Sequence, residues 1–357
     1  MTSRERYRAV THYQPSDRLF RHEMRAFPET VKRWQREGLP PDDDYARIVG
    51  YDRFETAPVN VGLAYHWNYE TLELTDDYEV YRDSREGAIK KKFRRAAEPN
   101  MPQYIEFPLK DRETWRRDFL PRLNPDSPNR ISMHWASLVK QYAVRDFPLG
   151  VSAGSLFGWI RDWMGVENIA VALYDDPAFV QEMMDHLADL TVAVLERVVG
   201  DVQFDFAIMW EDMAYKTASL ISPRHVRQMM LPNYRRITDL LHRAGIDVVM
   251  LDSDGNVEEL IPLWLEAGIN YIYPMEVAAG MDVVALRKKF GRDLIIGGGM
   301  DKRVLAWGDR AAIDAMIDAK RDLLLEGGYV PGCDHALPPD ISWVNFLYYR
   351  ERLASIA

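Results

Sequence analysis

Eight residues of this 357-residue sequence have types and positions suited to acid–base or metal chemistry: Glu211, Asp212, Asp252, Asp254, Glu276, Asp301, Asp334 and His335. Each follows a short apolar, β-rich run, as residues at the C-terminal ends of parallel strands do, so a single face can gather them. Scattered surface acids would fall on helix faces instead. Carboxylates held that close repel one another and keep their protons unless a cation stands among them, so the ring implies a bound metal or a cationic ligand. The competing account is helix capping. Asp254 before Gly255-Asn256 and Asp301 before Lys302-Arg303 stand where a following helix needs a side-chain acceptor. Capping is the expectation for Asp301. Function is the expectation for Glu211, Asp252 and Asp254, because a cap needs one acid per loop and these loops supply more. His335 lies beside Asp334 in the Pro-bounded stretch Pro331–Pro339, a rigid setting for a ligand or a base. Cys333 is either a small buried filler or a soft metal ligand.

The elements that must position these residues begin at Phe147, where short β-rich runs alternate with long amphipathic stretches, the pattern of βα units in a parallel sheet. Strands are predicted at Phe147–Ser152, Phe204–Trp210, Asp247–Leu251, Asn270–Pro274, Asp293–Gly297 and Gly328–Pro331. Helices are predicted near Trp159 and over Pro177–Val199, Pro223–Ala244, Val257–Ala267, Asp282–Phe290, Arg310–Glu326 and Ser342–Ala354. Six βα units are visible in this way. The remaining strands must come from the earlier part of the chain, or else the sheet is open. The expected fold is α/β, a TIM-type (β/α)8 barrel with an irregular, partly helical N-terminal cap, and a doubly wound sheet is the rival. The whole chain, 1–357, is expected to be one domain, with 1–145 supplying the cap and first strands and 146–357 the regular units. Before residue 145, Pro15, Pro28, Pro40, Pro41, Pro58, Pro99, Pro102 and Pro108 interrupt short pieces, among which Ser3–His12 and Pro28–Arg36 have helical spacing.

Composition excludes several function classes. With 47% apolar and 28% charged residues the chain can bury a large core, which argues against disorder. A net charge of -10 without a concentrated basic patch argues against nucleic acid as a partner. The run Lys90-Lys91-Lys92 with Arg94 and Arg95 is short, flanked by acids and expected to be a solvated face. One cysteine forbids an internal disulfide, no apolar signal region opens the chain, and no apolar run approaches a membrane span, so a cytoplasmic location without a membrane is expected. The Gly297-Gly-Gly299 run allows close backbone approach by a ligand but lacks phosphate-loop and dinucleotide spacing, and neither a Gly-x-Ser-x-Gly elbow nor a His-Glu-x-x-His motif occurs. The aromatics Tyr65, His66, Trp67, Tyr69, Phe157, Trp159 and Trp163 are expected mostly in the core, with a pocket for a flat ligand as the alternative.

The segments Trp210-Glu-Asp-Met-Ala-Tyr-Lys216, Leu220-Ile-Ser-Pro223, Met230-Leu-Pro232, Asp252-Ser-Asp-Gly255, Gly298-Gly-Met-Asp301 and Gly328-Tyr-Val-Pro-Gly-Cys-Asp-His335 together resemble the uroporphyrinogen decarboxylase superfamily. The opening Arg4-Glu-Arg-Tyr-Arg-Ala-Val10 with Pro15-Ser-Asp-Arg18 resembles that superfamily's start, and the likeness is strongest after Gly150. The resemblance implies either a decarboxylase acting on a tetrapyrrole without metal or cofactor, or a cobamide-dependent methyltransferase that uses zinc. The decarboxylases hold substrate carboxylates with an Arg-rich N-terminal motif. Here His22-Glu-Met-Arg-Ala-Phe-Pro28 keeps Arg25 but not the rest of the pattern, and an acidic ring opposes a polyanion. The methyltransferases place His-x-Cys after one strand and Cys after the last, where this chain has Asp252-x-Asp254 and Cys333.

The leading expectation from the resemblance is therefore a methyltransferase or demethylase component that moves a methyl group between a small methylated substrate and a corrinoid (cobalamin) on a partner protein. Glu211, Asp252 and His335 are the expected catalytic residues, and Trp210, Asp212, Tyr215, Glu276 and Arg25 the expected substrate-binding ones. Asp252, Asp254 and Cys333 are the expected ligands of a divalent metal, zinc first. A cationic methylated amine held without any metal is the alternative occupant of the ring. A homodimer is among the expected assemblies. The alternative functions are a carboxy-lyase acting on a tetrapyrrole or another polycarboxylate, and a non-catalytic tetrapyrrole- or corrinoid-binding protein.

Overall fold

The structure, a computed structural model, describes residues 1–42, 44–94 and 102–356. The helix Ser3–Thr11 opens on a capping box between Thr2 and Glu5, and a second helix spans Pro28–Arg36 with Pro at its first turn. Strand β1, Glu55–Thr56, is followed by a meander of β2 (Glu70–Leu74), β3 (Tyr78–Arg82), β4 (Ile89–Phe93) and β5 (Gln103–Glu106), which forms a four-stranded antiparallel sheet of its own. Sequence patterning misses this meander because β2 is exposed along its whole length and charges are mixed into every strand, so no apolar alternation marks it.

The other strands are β6 (Leu149–Ser152), β7 (Phe206–Trp210), β8 (Val249–Asp252), β9 (Tyr271–Tyr273), β10 (Ile295–Met300) and β11 (Tyr329–Cys333), one in each predicted run. With β1 they make a seven-stranded, wholly parallel sheet in the order β1-β6-β7-β8-β9-β10-β11. A doubly wound sheet reverses its strand order partway across, and this one never does, so that rival is set aside. Strands β10 and β11 run further than expected, through Met300 and Cys333. The Gly297-Gly-Gly299 run is thus part of a strand rather than a loop. Gly298 has φ +85°, and a Cβ there would run into the Pro274 carbonyl, so the close approach is first of all to the chain itself. The predicted helix Arg310–Glu326 is two, Arg310–Asp318 and Arg321–Glu326. Of the basic run, Lys90 is buried against Glu86 at 2.6 Å, while Lys92, two residues on along the same face of β4, and Arg94 are exposed. Arg95 and Pro99 lie outside the described residues. Phe157 and Trp163 are core as expected, whereas Tyr65 and Tyr69 are exposed. No helix among the described residues is long and apolar enough to cross a membrane.

The parallel sheet is buried on both faces. Residues such as Ala207, Met209, Leu251, Ile272 and Ile296 face the helices in the large core, and their neighbours Phe206, Met250, Tyr271, Ile295 and Val330 face inward. Tyr7, Val10 and Phe20 pack onto that inner set and fill one end of it. The two edge strands are spanned by the extended segment 19–26. Its Arg21 carbonyl accepts from Asp52 N at 2.8 Å near β1, and its Arg25 carbonyl accepts from Leu337 N at 3.1 Å beyond β11. Glu23 anchors the segment. Its buried carboxylate accepts from Cys333 N at 2.6 Å, Tyr349 Oη at 2.9 Å and Arg350 Nη1 at 2.7 Å.

Burial pushes the Glu23 carboxyl up, and the Arg350 guanidinium opposes that push. Replacing Arg350 by Met strips the buried charge of its counter-ion and is expected to cost about 3–5 kcal/mol in urea unfolding at neutral pH. The unpaired Glu23 then has a folded-state pKa further above its unfolded one, so the loss should shrink toward pH 5, where the carboxyl is protonated. A loss that is the same at both pH values, or below 1 kcal/mol, contradicts this account.

Candidate active site

The inward-facing side chains and the C-terminal strand ends enclose a cavity of about 650 Å³. Its walls are largely aromatic and aliphatic, including Phe54, Ile208, Trp210, Met250, Tyr271 and Tyr273. Six of the sequence-predicted residues meet there: Arg25, Trp210, Asp252, Asp254, Cys333 and His335. Glu211, Asp212, Tyr215 and Glu276 do not line it.

Asp252 ends β8 and presents its carboxyl to the cavity. Burial first, then the neighbouring Asp254 and Asp212 carboxylates, pushes it up to about 8, against the opposing pull of His335 and the Tyr273 hydroxyl. At pH 7 it is therefore mostly a neutral carboxylic acid. Asp254, two residues on, is no helix cap. Its Oδ2 lies 3.4 Å from His335 Nε2, and its Oδ1 is buried without a partner. The Asp254 contact, reinforced by the Ala336 carbonyl 3.2 Å from Nδ1, pushes His335 up against the opposing effect of burial. Arg25 lines the same cavity, is exposed, and has no side-chain partner among the described residues.

The other predicted acids hold the chain together. Glu211 is fully buried at the end of β7 and accepts five hydrogen bonds, from Leu156 N, Phe157 N, Gly158 N, Ser155 Oγ and Tyr234 Oη. These fix the turn after β6 onto β7 at the start of the helix Gly158–Met164. Burial pushes Glu211 up while the backbone donors resist it. No lone pair is left to face a substrate, which corrects the catalytic expectation for this residue. Asp212, at φ +52°, is clamped by Arg161 at 3.2 Å and accepts from Asp254 N at 3.1 Å, so it sets the position of Asp254 rather than touching the cavity. Glu276 is taken by Lys302 Nζ at 2.8 Å and Gly255 N at 3.2 Å. Tyr215 is 61% exposed and turned to solvent. Asp334 is fully buried and accepts from Val277 N and Lys302 N, both at 2.9 Å. Asp301 caps the helix Lys302–Trp307 through Arg303 N at 2.8 Å, as expected.

The expected metal set does not fit. Among the described residues no three His, Cys, Asp or Glu side chains converge as a metal's ligands must. Burial pushes the Cys333 thiol well above its ordinary range, the opposite of what a thiolate ligand needs. Two cavity residues escaped sequence reasoning. Tyr273 borders the Asp252 carboxyl, and His22 lines the wall opposite the strand ends contributed by segment 19–26. His22 opens the very segment that resembles the family's arginine motif, yet nothing in the spacing marks it as facing a cavity.

Comparison with known proteins places the chain as follows. A family model described as uroporphyrinogen decarboxylase (URO-D) matches residues 92–353. Among solved structures, a methyltransferase from Methanosarcina mazei superposes with a TM-score of 0.60 at 13% identity, covering 100% of this chain and 98% of that one. At that identity the likeness concerns the fold. No curated protein sequence matches the chain.

Asp252 gives a test of the site's electrostatics that needs no substrate. Its carboxyl titrates at 3.8 when unperturbed and at about 8 in the fold. The folded state thus holds a proton the unfolded state gives up, and the associated stability is complete below the lower value and lost as pH rises to the upper one. Asp252→Asn does not titrate. It should melt about 2–5 °C above the parent at pH 8.5 and show no such advantage at pH 4. Parallel melting curves across that range would refute the elevated carboxyl.

Proposed function

The chain belongs to the uroporphyrinogen decarboxylase family, and on that premise we propose that it is a methyltransferase or demethylase component that takes a methyl group from a small substrate to a corrinoid on a separate protein. The observation that carries this reading is a carboxylic acid, Asp252, kept protonated near neutrality on the wall of an apolar cavity. Removing a methyl group from an ether oxygen leaves that oxygen with an electron pair and a negative charge. The methyl–oxygen bond breaks, the methyl group leaves to its acceptor, and Asp252 transfers its proton to the oxygen, so a neutral hydroxyl departs. A general acid serves best when its pKa lies near the working pH, as this one does.

The remaining cavity groups have supporting tasks. The Asp254–His335 pair stands beside the acid, and the Asp254 carboxylate keeps Asp252 from ionising early. Arg25, unpaired at the rim, is suited to a carboxylate or another anionic substituent on the substrate. The barrel reading extends to the whole sheet in this proposal, with segment 19–26 standing in for the missing strand between β11 and β1. A corrinoid supplies the methyl acceptor. The cavity, at about 650 Å³, suits a small molecule and is too small to enclose a corrinoid macrocycle, which supports a separate carrier that docks at the mouth. Among the described residues the side chains do not offer a metal's ligand set.

The carboxy-lyase alternative is favoured by one observation, the free Arg25, but a tetrapyrrole with many carboxylates needs several cations, and this cavity sets Asp252 and Asp254 beside Arg25 and His335. The experiment is methyl transfer from methoxylated aromatics and methylated amines to cob(I)alamin, free or on its carrier, with carbon dioxide release from uroporphyrinogen measured in parallel. Asp252→Asn should lower methyl transfer about 10²–10⁴-fold. The parent rate should be flat below pH 7 and fall as pH rises through about 8, as the acid is lost. Full activity in the Asn variant, or carbon dioxide release without methyl transfer, would overturn the reading.

A further inference from the structure

The cavity contains a second titratable group that the proposed chemistry does not use. His22 sits on segment 19–26 with its ring 4.5 Å from that of Phe54, which itself stacks on Phe206 at 4.4 Å. The imidazole retains accessible surface and lines the cavity, and neither of its nitrogens has a hydrogen-bond partner among the described residues. Those nitrogens are not sealed in protein either, since His22 is absent from the buried polar groups left unpaired. A ring held by an aromatic stack, with both polar atoms open to a cavity walled largely by aromatic and aliphatic side chains, is placed to be completed by a ligand.

The charge state narrows what that ligand offers. Burial, with Arg350 adding to it, pushes His22 down to about 4, so the ring is neutral at physiological pH. A neutral imidazole presents one N–H donor and one acceptor nitrogen. An anion would find only one donor there and two carboxyl groups elsewhere on the wall, and Arg25 already provides for it at the rim. A cation would forgo the acidic end for a weaker acceptor. A hydroxyl matches either nitrogen, donating to one or accepting from the other. The surrounding rings of Phe54, Trp210, Tyr271 and Tyr273 favour a flat body for the molecule that bears it.

We infer that His22 is a specificity-determining residue, which hydrogen-bonds a hydroxyl on an aromatic substrate and so selects hydroxylated methoxyarenes over those without the hydroxyl. The inference rests on the cavity being the substrate site of the proposed methyl transfer, and its test is binding without any methyl acceptor. The probes are the three methoxyphenol isomers and methoxybenzene, titrated into the whole protein by calorimetry.

At least one isomer should bind about tenfold more tightly than methoxybenzene, the worth of one hydrogen bond in a site that otherwise leaves its polar group unpaired. His22→Phe keeps a ring against Phe54 and should bring the ratio to within about twofold, while His22→Gln, which keeps a donor and an acceptor, should preserve most of it. In the parent protein the His22 ring nitrogen resonances should move with the methoxyphenol and not with methoxybenzene, a readout that holds even where a variant fails to fold. Equal affinities in the parent, unmoved His22 resonances, or discrimination that survives in a folded His22→Phe would overturn the inference. Discrimination through His22 without methyl transfer overturns only the proposed function, and methyl transfer without discrimination overturns only this inference.

Discussion

The Glu23 carboxylate is the point at which three separate parts of the chain are made into one wall. It receives the Cys333 amide from β11, the Tyr349 hydroxyl and the Arg350 guanidinium from the C-terminal helix Trp343–Ala354, and it belongs to the segment that spans the open edges of the parallel sheet. A buried charge is tolerable only when it is paired and its lone pairs are occupied, and here both conditions hold. The consequence for the cavity is direct. His22, Glu23, Met24 and Arg25 all line it, so the residues that would meet a ligand on this side are held by the Glu23–Arg350 ion pair. Across the cavity the strand ends of β7 to β11 are positioned by the ladder itself. One side of the site therefore depends on the strand ladder, and the other on a buried carboxylate together with the backbone bonds at Arg21 and Arg25.

The strand-end acids divide by the same rule. A carboxylate deep in a protein either finds enough donors to stay charged or keeps its proton. Glu211 finds five donors, and Asp334 is met by two backbone amides beside Lys302. Asp212 has Arg161, and Glu276 has Lys302. Asp252 is left with one hydroxyl, the His335 imidazole and the neighbouring Asp254 and Asp212 carboxylates, and it is the one whose carboxyl is pushed up to about 8. The acidic ring is thus mostly structural scaffolding around Asp252 and Asp254, the two acids left short of donors, and that exception marks the chemistry.

This division also explains what the sequence could and could not reveal. The six strands β6 to β11 were legible because each is a short apolar run buried on both faces, and burial on both faces writes itself into residue type. Asp252 and Asp254 were legible as a pair in one loop. Glu211 and Asp334 were misleading for a physical reason: a carboxylate that anchors backbone amides follows its strand in the same way as one that faces a substrate, and only the direction of the donors tells them apart. His22 was illegible because its neighbours in space, Phe54 and Arg350, are far from it in the chain. The meander β2 to β5 carries little core and so left no pattern to read.

Backbone geometry at the strand ends supports the same picture of where strain is concentrated. Three non-glycine residues among the described ones have φ in the left-handed region, and two of them, Asp212 after β7 and Met275 after β9, stand in loops flanking β8. Such conformations carry a cost of order 1–3 kcal/mol each and persist where packing over-determines them. At Asp212 the overdetermining contacts are Arg161 on its carboxylate and on its carbonyl, and the product of holding it there is an acceptor for the Asp254 amide. Asp254 in turn faces His335 and raises the Asp252 carboxyl. A strained residue, a partly buried arginine and a backbone amide thus lead in three contacts to the proton on Asp252.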